Sequence, residues 1–319
     1  MSIPIVDANS EPLDPEEEHE RRIAKVKQLR ENGDDEDRIS FLHQERWISY
    51  PSAKKLLERM EDLYSRPKRL RPRSMLVIAR AGNGKTQLGR RFQMKHPPTD
   101  NREGDYIKYP VMYVQAPWKP NAARLFEKIL SSLGVESATS ASAARKERRA
   151  LDLMKAVDTR MLIIDEVHHI ISGSKKKHRQ MLDLLKYIST ELQIPIAALG
   201  TRVAAPAINQ DEQTKTRFWV QALPKWTMND KDSRQNYLRL LKSLEELLPL
   251  REPSNLVKTN LARKVLAMGE GRIGDIDEVV TLGAVEAIKR GKERITPELL
   301  DDCGWDPPSD QSGKAQGNA

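Results

Sequence analysis

Among its 319 residues the chain has a single cysteine, Cys303. That excludes an internal disulfide framework and suits a reducing compartment, so a cytoplasmic location is expected. Aromatic residues amount to 5%. No apolar run approaches the roughly 18–20 residues of a membrane span. The opening residues, MSIPIVDANSEPLDPEEEHE, lack the apolar core of a secretory signal. No internal repeat is visible. Soft-ligand metal chemistry has little to build on: His168 and His169 are adjacent, but no second cluster with ligand spacing accompanies them. Packing or hydrogen bonding explains them better than zinc.

Charge is plentiful. Charged residues make up 31% and the net charge is +8. The first forty residues hold twelve Asp/Glu and six Lys/Arg, net −6, leaving +14 on the rest. A basic body behind an acidic leader fits a polyanion partner, nucleic acid first, although a soluble protein of basic pI would read the same way.

Residues 1–40 read as a flexible acidic leader with one short charged helix near Glu16–Arg30. Residues 37–64 carry helical apolar spacing, and 65–74 form a basic linker. Short continuous apolar runs at Met75–Ala79, Val111–Gln115, Met161–Ile164 and Ile194–Leu199, with a fifth at Phe218–Leu223, read as buried parallel strands. Helical patterns lie between them, at Thr86–Lys95, Ala122–Leu133, Arg145–Val157 and His178–Leu192. The alternation predicts an α/β unit with a five-stranded parallel sheet over residues 41–226. After Pro224 the pattern becomes helical, which predicts a small all-α lid over 227–303. Residues 304–319 are polar and expected to be disordered.

The segment Ala79-Arg-Ala-Gly-Asn-Gly-Lys-Thr86 lies between a strand and a helix, the setting of a P-loop (Walker A). Gly82, Asn83 and Gly84 shape a loop whose amides and following helix N-terminus, with Gln87 in its first turn, hold phosphates. Lys85 reaches the β- and γ-phosphates, and Thr86 places its hydroxyl on Mg²⁺. Ala79 departs from the pattern, which wants glycine. About eighty residues on, Met161-Leu-Ile-Ile-Asp165-Glu166 ends an apolar strand in two acids, a Walker B arrangement. Asp165 is expected to hold Mg²⁺, and Glu166 to direct the attacking water. Thr201 ends the fourth strand as a γ-phosphate sensor. Arg217 is the expected arginine finger supplied to a neighbouring subunit, with Arg202 its rival. Arg272 opens a lid helix and is a weaker candidate for ATP contact.

The stretch from Ile164 to Trp226 resembles the TniB family of transposon AAA+ ATPases, relatives of TnsC and more distantly MuB. The resemblance rests on Asp165, Glu166 and His168, the Ser-Gly-Ser turn before the long helix, the Ile-Pro-Ile strand running into Gly200-Thr201, the Arg217-Phe218 pair and the Leu-Pro-x-Trp ending at Trp226. It implies a P-loop ATPase of AAA+ fold that uses ATP and Mg²⁺ and assembles as rings or filaments on double-stranded DNA. It further implies recruitment of a DDE transposase of the TniA/TnsB type and partnership with a TniQ-type adaptor. In related filaments the loops after the second and third strands approach the duplex, which favours Lys119 and Lys175, Lys176 and Lys177 as DNA contacts. Other basic patches are Arg145–Arg149 and the linker residues Arg66, Lys68, Arg69, Arg71 and Arg73. The alternative from another class is a loader or signalling ATPase whose partner is protein.

Trp118, Trp219 and Trp226 read as core or interface packing groups ahead of base-stacking ones. Trp47, Ile48 and Tyr50 precede the first strand, where either adenine contact or helix packing would fit.

Overall fold

A computed structural model of the chain describes residues 15–101, 106–136, 140–169, 175–209, 212–307 and 309. In chain order the elements begin α1 (Pro15–Asn32), α2 (Asp35–Leu42), α3 (Pro51–Ser65), β1 (Ser74–Ile78), α4 (Lys85–Lys95), β2 (Val111–Gln115), α5 (Ala122–Ser132) and α6 (Ala143–Ala156). They continue with β3 (Met161–Asp165), α7 (Lys175–Leu192), β4 (Ile196–Gly200), α8 (Ala204–Asn209), α9 (Glu212–Arg217) and β5 (Phe218–Ala222). Four helices close the chain: α10 (Lys231–Glu246), α11 (Thr259–Met268), α12 (Ile273–Lys289) and α13 (Pro297–Asp302). Two compact units result, one of residues 52–224 and one of residues 1–51 with 225–319. The sequence pattern places these divisions at 40/41 and 226/227.

The first unit is built on a parallel sheet of order β2-β3-β4-β1-β5. β3 and β4 are buried along their whole length, as strands covered on both faces must be. Leu76, Met112, Leu162, Ile164 and Ala198 from the strands pack with Phe126, Ile129, Met154, Leu185 and Ile188 from the helices. Each large apolar side chain so buried contributes about 1.5–3 kcal/mol. Asn121 and Ser142 accept the backbone N–H of Arg124 and Arg145 and so cap α5 and α6. The N–H of Ile196 donates to Ser74 Oγ at 3.0 Å, tying the entries of β4 and β1 together. Gly89 lets α4 lie close on the sheet: a Cβ there would stand 2.7 Å from Leu199 Cδ1 and 2.9 Å from Tyr113 Cε2.

The second unit is helical. Tyr237, Leu241, Leu244, Val265, Ile276 and Val280 form its core, and Asp230 caps α10 by accepting from Ser233 N. The expectation of a flexible leader through residue 40 is corrected for its second half. Residues 15–32 and 35–42 are helical, and Val26, Leu29 and Phe41 form their own apolar cluster. Arg38 is fully buried and makes a double contact with Glu293, at 2.7 and 2.9 Å, while also donating to Pro249 O. Residues 1–14 lie outside the described residues. The helical pattern expected over 37–64 is broken between α2 and α3, because Pro51 disfavours helix at the residue before it and itself opens α3. Trp305, within the expected disordered tail, donates Nε1 to Met268 O at 2.9 Å. Residues 310–319 are not described. Among the described residues no helix is long and apolar enough to cross a membrane.

Arg38→Ala would leave the Glu293 carboxylate largely buried without its main partner. Its expected cost is about 3 kcal/mol, read as a lower urea midpoint of unfolding. The hydrogen bonds from Arg38 hold the Glu293 carboxyl below the usual range. Its contribution to stability is therefore fully present above the ordinary glutamate pKa and lost as pH falls through the folded-state value.

Candidate active site

The chemistry-bearing residues gather at the carboxyl ends of the parallel strands, where β-strand polarity and helix N-termini favour ligand binding. The P-loop follows β1, Trp118 and Lys119 follow β2, Asp165 ends β3, and Thr201 follows β4.

Left-handed backbone occurs in the P-loop at Gly82 (φ 70°) and Gly84 (φ 79°), and Gly84 leads directly into α4. Ala79 is not among the positive-φ residues. It continues the strand by donating its N–H to Gly200 O at 3.0 Å, so no glycine is required there. Asn83 is buried, and its side chain donates to Leu223 O and Pro224 O, both at 3.1 Å. It thus anchors the loop to the end of β5. Thr86 and Gln87 are exposed at the start of α4.

Lys85 is buried, and its Nζ donates to Arg80 O at 3.0 Å. Burial lowers its pKa, while Glu166 and Asp165 act in the opposite sense. Asp165 is 2% exposed, and its carboxylate receives three hydrogen bonds. Thr86 Oγ1 donates to its Oδ2 at 2.7 Å, Tyr113 OH to the same oxygen at 2.6 Å, and Glu166 N to Oδ1 at 2.7 Å. A hydroxyl and a carboxylate oxygen at that separation are hard donors of the type Mg²⁺ takes, so the residues fit that ion.

Tyr113 was not foreseen from the sequence. It stands opposite Ile163 in the β2–β3 register, two residues before Asp165. Burial and the hydrogen bond to Asp165 push its pKa upward, so it remains a donor across the physiological range. Arg90 lies over its ring at 3.9 Å. A tyrosine in an otherwise aliphatic strand was the available signal, because a buried Tyr hydroxyl needs a partner.

Glu166 turns away from the strand with φ 53°, a left-handed conformation costly for a residue with a Cβ. Its Oε2 lies 3.0 Å from His168 Nδ1. The angle falls short of a regular hydrogen bond, since His168 Nδ1 has no such partner. Burial lowers the His168 pKa, against the opposing pull of Glu166. His169 stacks on it at 4.3 Å, and candidate ligand atoms of Glu166, His168 and His169 lie within 4.8 Å of one another.

Thr201 is half-buried and Arg202 exposed, both at this end of the sheet. Arg217 is not: it precedes β5, whose Phe218 pairs with Ser74 at the start of β1. Five strand residues at about 3.3 Å each place it roughly 16 Å along the sheet from the P-loop end. Its Nη1 donates to Thr190 Oγ1 at 2.9 Å. Arg272, in the helical unit, pairs with Glu270 at 2.8 Å and Asp275 at 2.5 Å.

Lys176 and Lys177 are exposed. They lie in the first turn of α7 and not in the loop expected for them, because the helix begins at Lys175. The Lys175 side chain lies outside the described residues. Lys119 Nζ sits 4.2 Å from the Trp118 ring centre, and Trp118 is 62% exposed, so it is not a core residue of this chain. Ile48 is buried, while Tyr50 meets Trp226 edge-on at 5.2 Å, so both pack.

A sequence profile of the family described as "Bacterial TniB protein" matches residues 38–228. The chain belongs to the TniB family. No curated protein matches it. Solved structures similar to this TniB-family chain include the Aeropyrum pernix ORC1 protein in complex with DNA, with TM-score 0.60, 15% identity, and 83% of this chain and 68% of that one covered. Cdc6p from Pyrobaculum aerophilum gives TM-score 0.59 and 16% identity, covering 83% and 69%. The Aeropyrum pernix ORC2 protein in ADPNP-ADP complexes gives 0.56 and 17%, covering 82% and 70%. These likenesses establish the AAA+ α/β fold for the TniB-family chain.

Proposed function

We propose that this TniB-family protein is a cytoplasmic, ATP-dependent DNA-binding regulator of transposition, which assembles as a ring or filament on double-stranded DNA and recruits or activates a DDE transposase. A TniQ-type adaptor is its further partner. The observation that carries the reading is the group of Lys85, Thr86, Asp165 and Glu166 at the ends of β1 and β3, the two strands that flank β4, with Thr86 and Asp165 2.7 Å apart. The solved ORC1–DNA and ORC2–ADPNP-ADP structures share this fold and lend support.

Lys85 and the loop amides hold the triphosphate, and Thr86 and Asp165 would hold Mg²⁺, which neutralises phosphate charge when bound. Thr201 contacts the γ-phosphate, and Glu166 polarises the attacking water. Arg217 lies at the far end of the sheet from its own P-loop, so it serves the ATP of another copy. Arg202 lies at the near end and is the poorer finger. Arg272 contacts ATP from the lid when released from its acidic partners.

Tyr113 orients Asp165 through its hydroxyl. Tyr113→Phe is expected to raise the Mg²⁺ concentration for half-maximal turnover about tenfold, with little change in unfolding midpoint.

Double-stranded DNA is held by Lys119 and Lys175–Lys177 through its phosphates. Replacing all four with Ala is expected to weaken binding and to flatten the salt dependence of log affinity by about 0.9 for each phosphate no longer neutralised. Unchanged affinity and slope in the salt titration would reject this surface.

A further inference from the structure

At the end of the sheet opposite the P-loop, a cleft of about 280 Å³ is lined by Arg71, Pro72, Arg73, Thr216 and Arg217. Three arginines line one space, and among the described residues no carboxylate joins them in its lining. Two other basic residues of the same linker do have acidic partners, Arg66 with Asp62 at 2.6 Å and Lys68 with Asp158 at 3.1 Å. Backbone geometry creates the convergence. Ser74 pairs with Phe218, so the residues before them, Arg73 and Arg217, are neighbours whatever their rotamers. Pro72 is buried and fixes the chain between the two linker arginines. The Arg73 guanidinium lies over the Trp219 ring at 5.1 Å, which limits its positions further.

Positive charges gathered at one place repel one another and favour an anion between them. Guanidinium forks match phosphate oxygens bidentately. A nucleic-acid strand presents its phosphates singly along a line, whereas a nucleoside triphosphate concentrates several charges in a space of this size. We propose that Arg73, assisted by Arg71, is a second phosphate ligand acting in trans beside Arg217, and that the cleft receives the triphosphate of ATP bound to another copy of this chain. The inference rests on the reading that Arg217 acts in trans. Arg73 and Arg71 then stabilise charge on the transferring phosphoryl group from across the subunit boundary.

The test compares Arg73→Ala, Arg73→Lys and Arg217→Ala, each alone and mixed with Glu166→Gln protein, with long double-stranded DNA present. Arg73 is exposed, so its replacement leaves the fold intact. Arg73→Ala is expected to lower ATP turnover about a hundredfold while ATP affinity at low protein concentration is kept. Arg73→Lys should recover only part of the loss. Addition of Glu166→Gln protein should restore turnover, because that partner brings an intact Arg73 to a site with an intact Glu166. Restoration of Arg217→Ala but unaltered turnover in Arg73→Ala would overturn this inference alone. Absence of restoration for both variants would remove the trans reading beneath it. A weakened, less salt-dependent DNA affinity with unaltered DNA-free turnover would reassign Arg73 to the nucleic-acid backbone and overturn the proposal.

Discussion

Glu166→Gln is expected to lower ATP turnover about a thousandfold, within the usual range for loss of a general base, and to leave ATP binding within about twofold. Glu166 follows Asp165, and its backbone is left-handed with φ 53°. The amide of Gln matches its size but cannot accept the proton of the attacking water. Lys85, Thr86 and Asp165 remain in place, so nucleotide is still held. The variant should therefore accumulate in its ATP-bound, assembled form. Rapid-quench turnover and equilibrium nucleotide titration on the same preparation check both halves. A variant that loses both binding and turnover would assign Glu166 to holding the site together.

The second large effect concerns Arg217. Arg217→Ala is expected to reduce turnover about a thousandfold, as removal of an arginine finger does. Binding of ATP to the dilute chain should not change, because Arg217 lies at the other end of the sheet from its own P-loop. The hydrogen bond to Thr190 that this variant removes is half-exposed and contributes about 1 kcal/mol, too little to unfold the unit. Turnover regained on mixing with Glu166→Gln protein, and dependent on the ratio of the two, identifies a shared site. Loss of ATP affinity at every concentration would instead place Arg217 in its own subunit's site.

Much of the site is legible in the sequence because the P-loop and the strand-terminal acids are local motifs. Gly84, Lys85 and Thr86 need only a strand before them and a helix after, and the apolar run Met161–Ile164 announces where Asp165 must stand. The strands are equally readable, since burial on both faces leaves a continuous apolar run with no polar alternation. What is not legible depends on distant partners. Tyr113 becomes a site residue only through the β2–β3 register, which no local pattern encodes. Arg38 sits among acidic residues, Asp34 to Asp37, and reads as solvated; its burial follows from Glu293, 255 positions away. Asn83 has the spacing of a phosphate-loop residue, yet its side chain bonds to carbonyls some 140 positions on. Lys175–Lys177 mislead in the other direction. A run of three lysines resembles a loop, but the amphipathic pattern of Met181, Leu182, Leu185 and Ile188 carries the helix back through it.

Central to the account is the linkage of ATP, self-assembly and DNA in one TniB-family protein. The most direct measurement is steady-state ATP turnover with and without long double-stranded DNA, with particle size recorded by light scattering in the same samples. The account predicts that turnover and particle size rise together when DNA is added to ATP-bound protein, and that neither rises with Lys85→Ala. Nucleotide binding with turnover and size indifferent to DNA would contradict it and point to an ATPase whose partner is a protein.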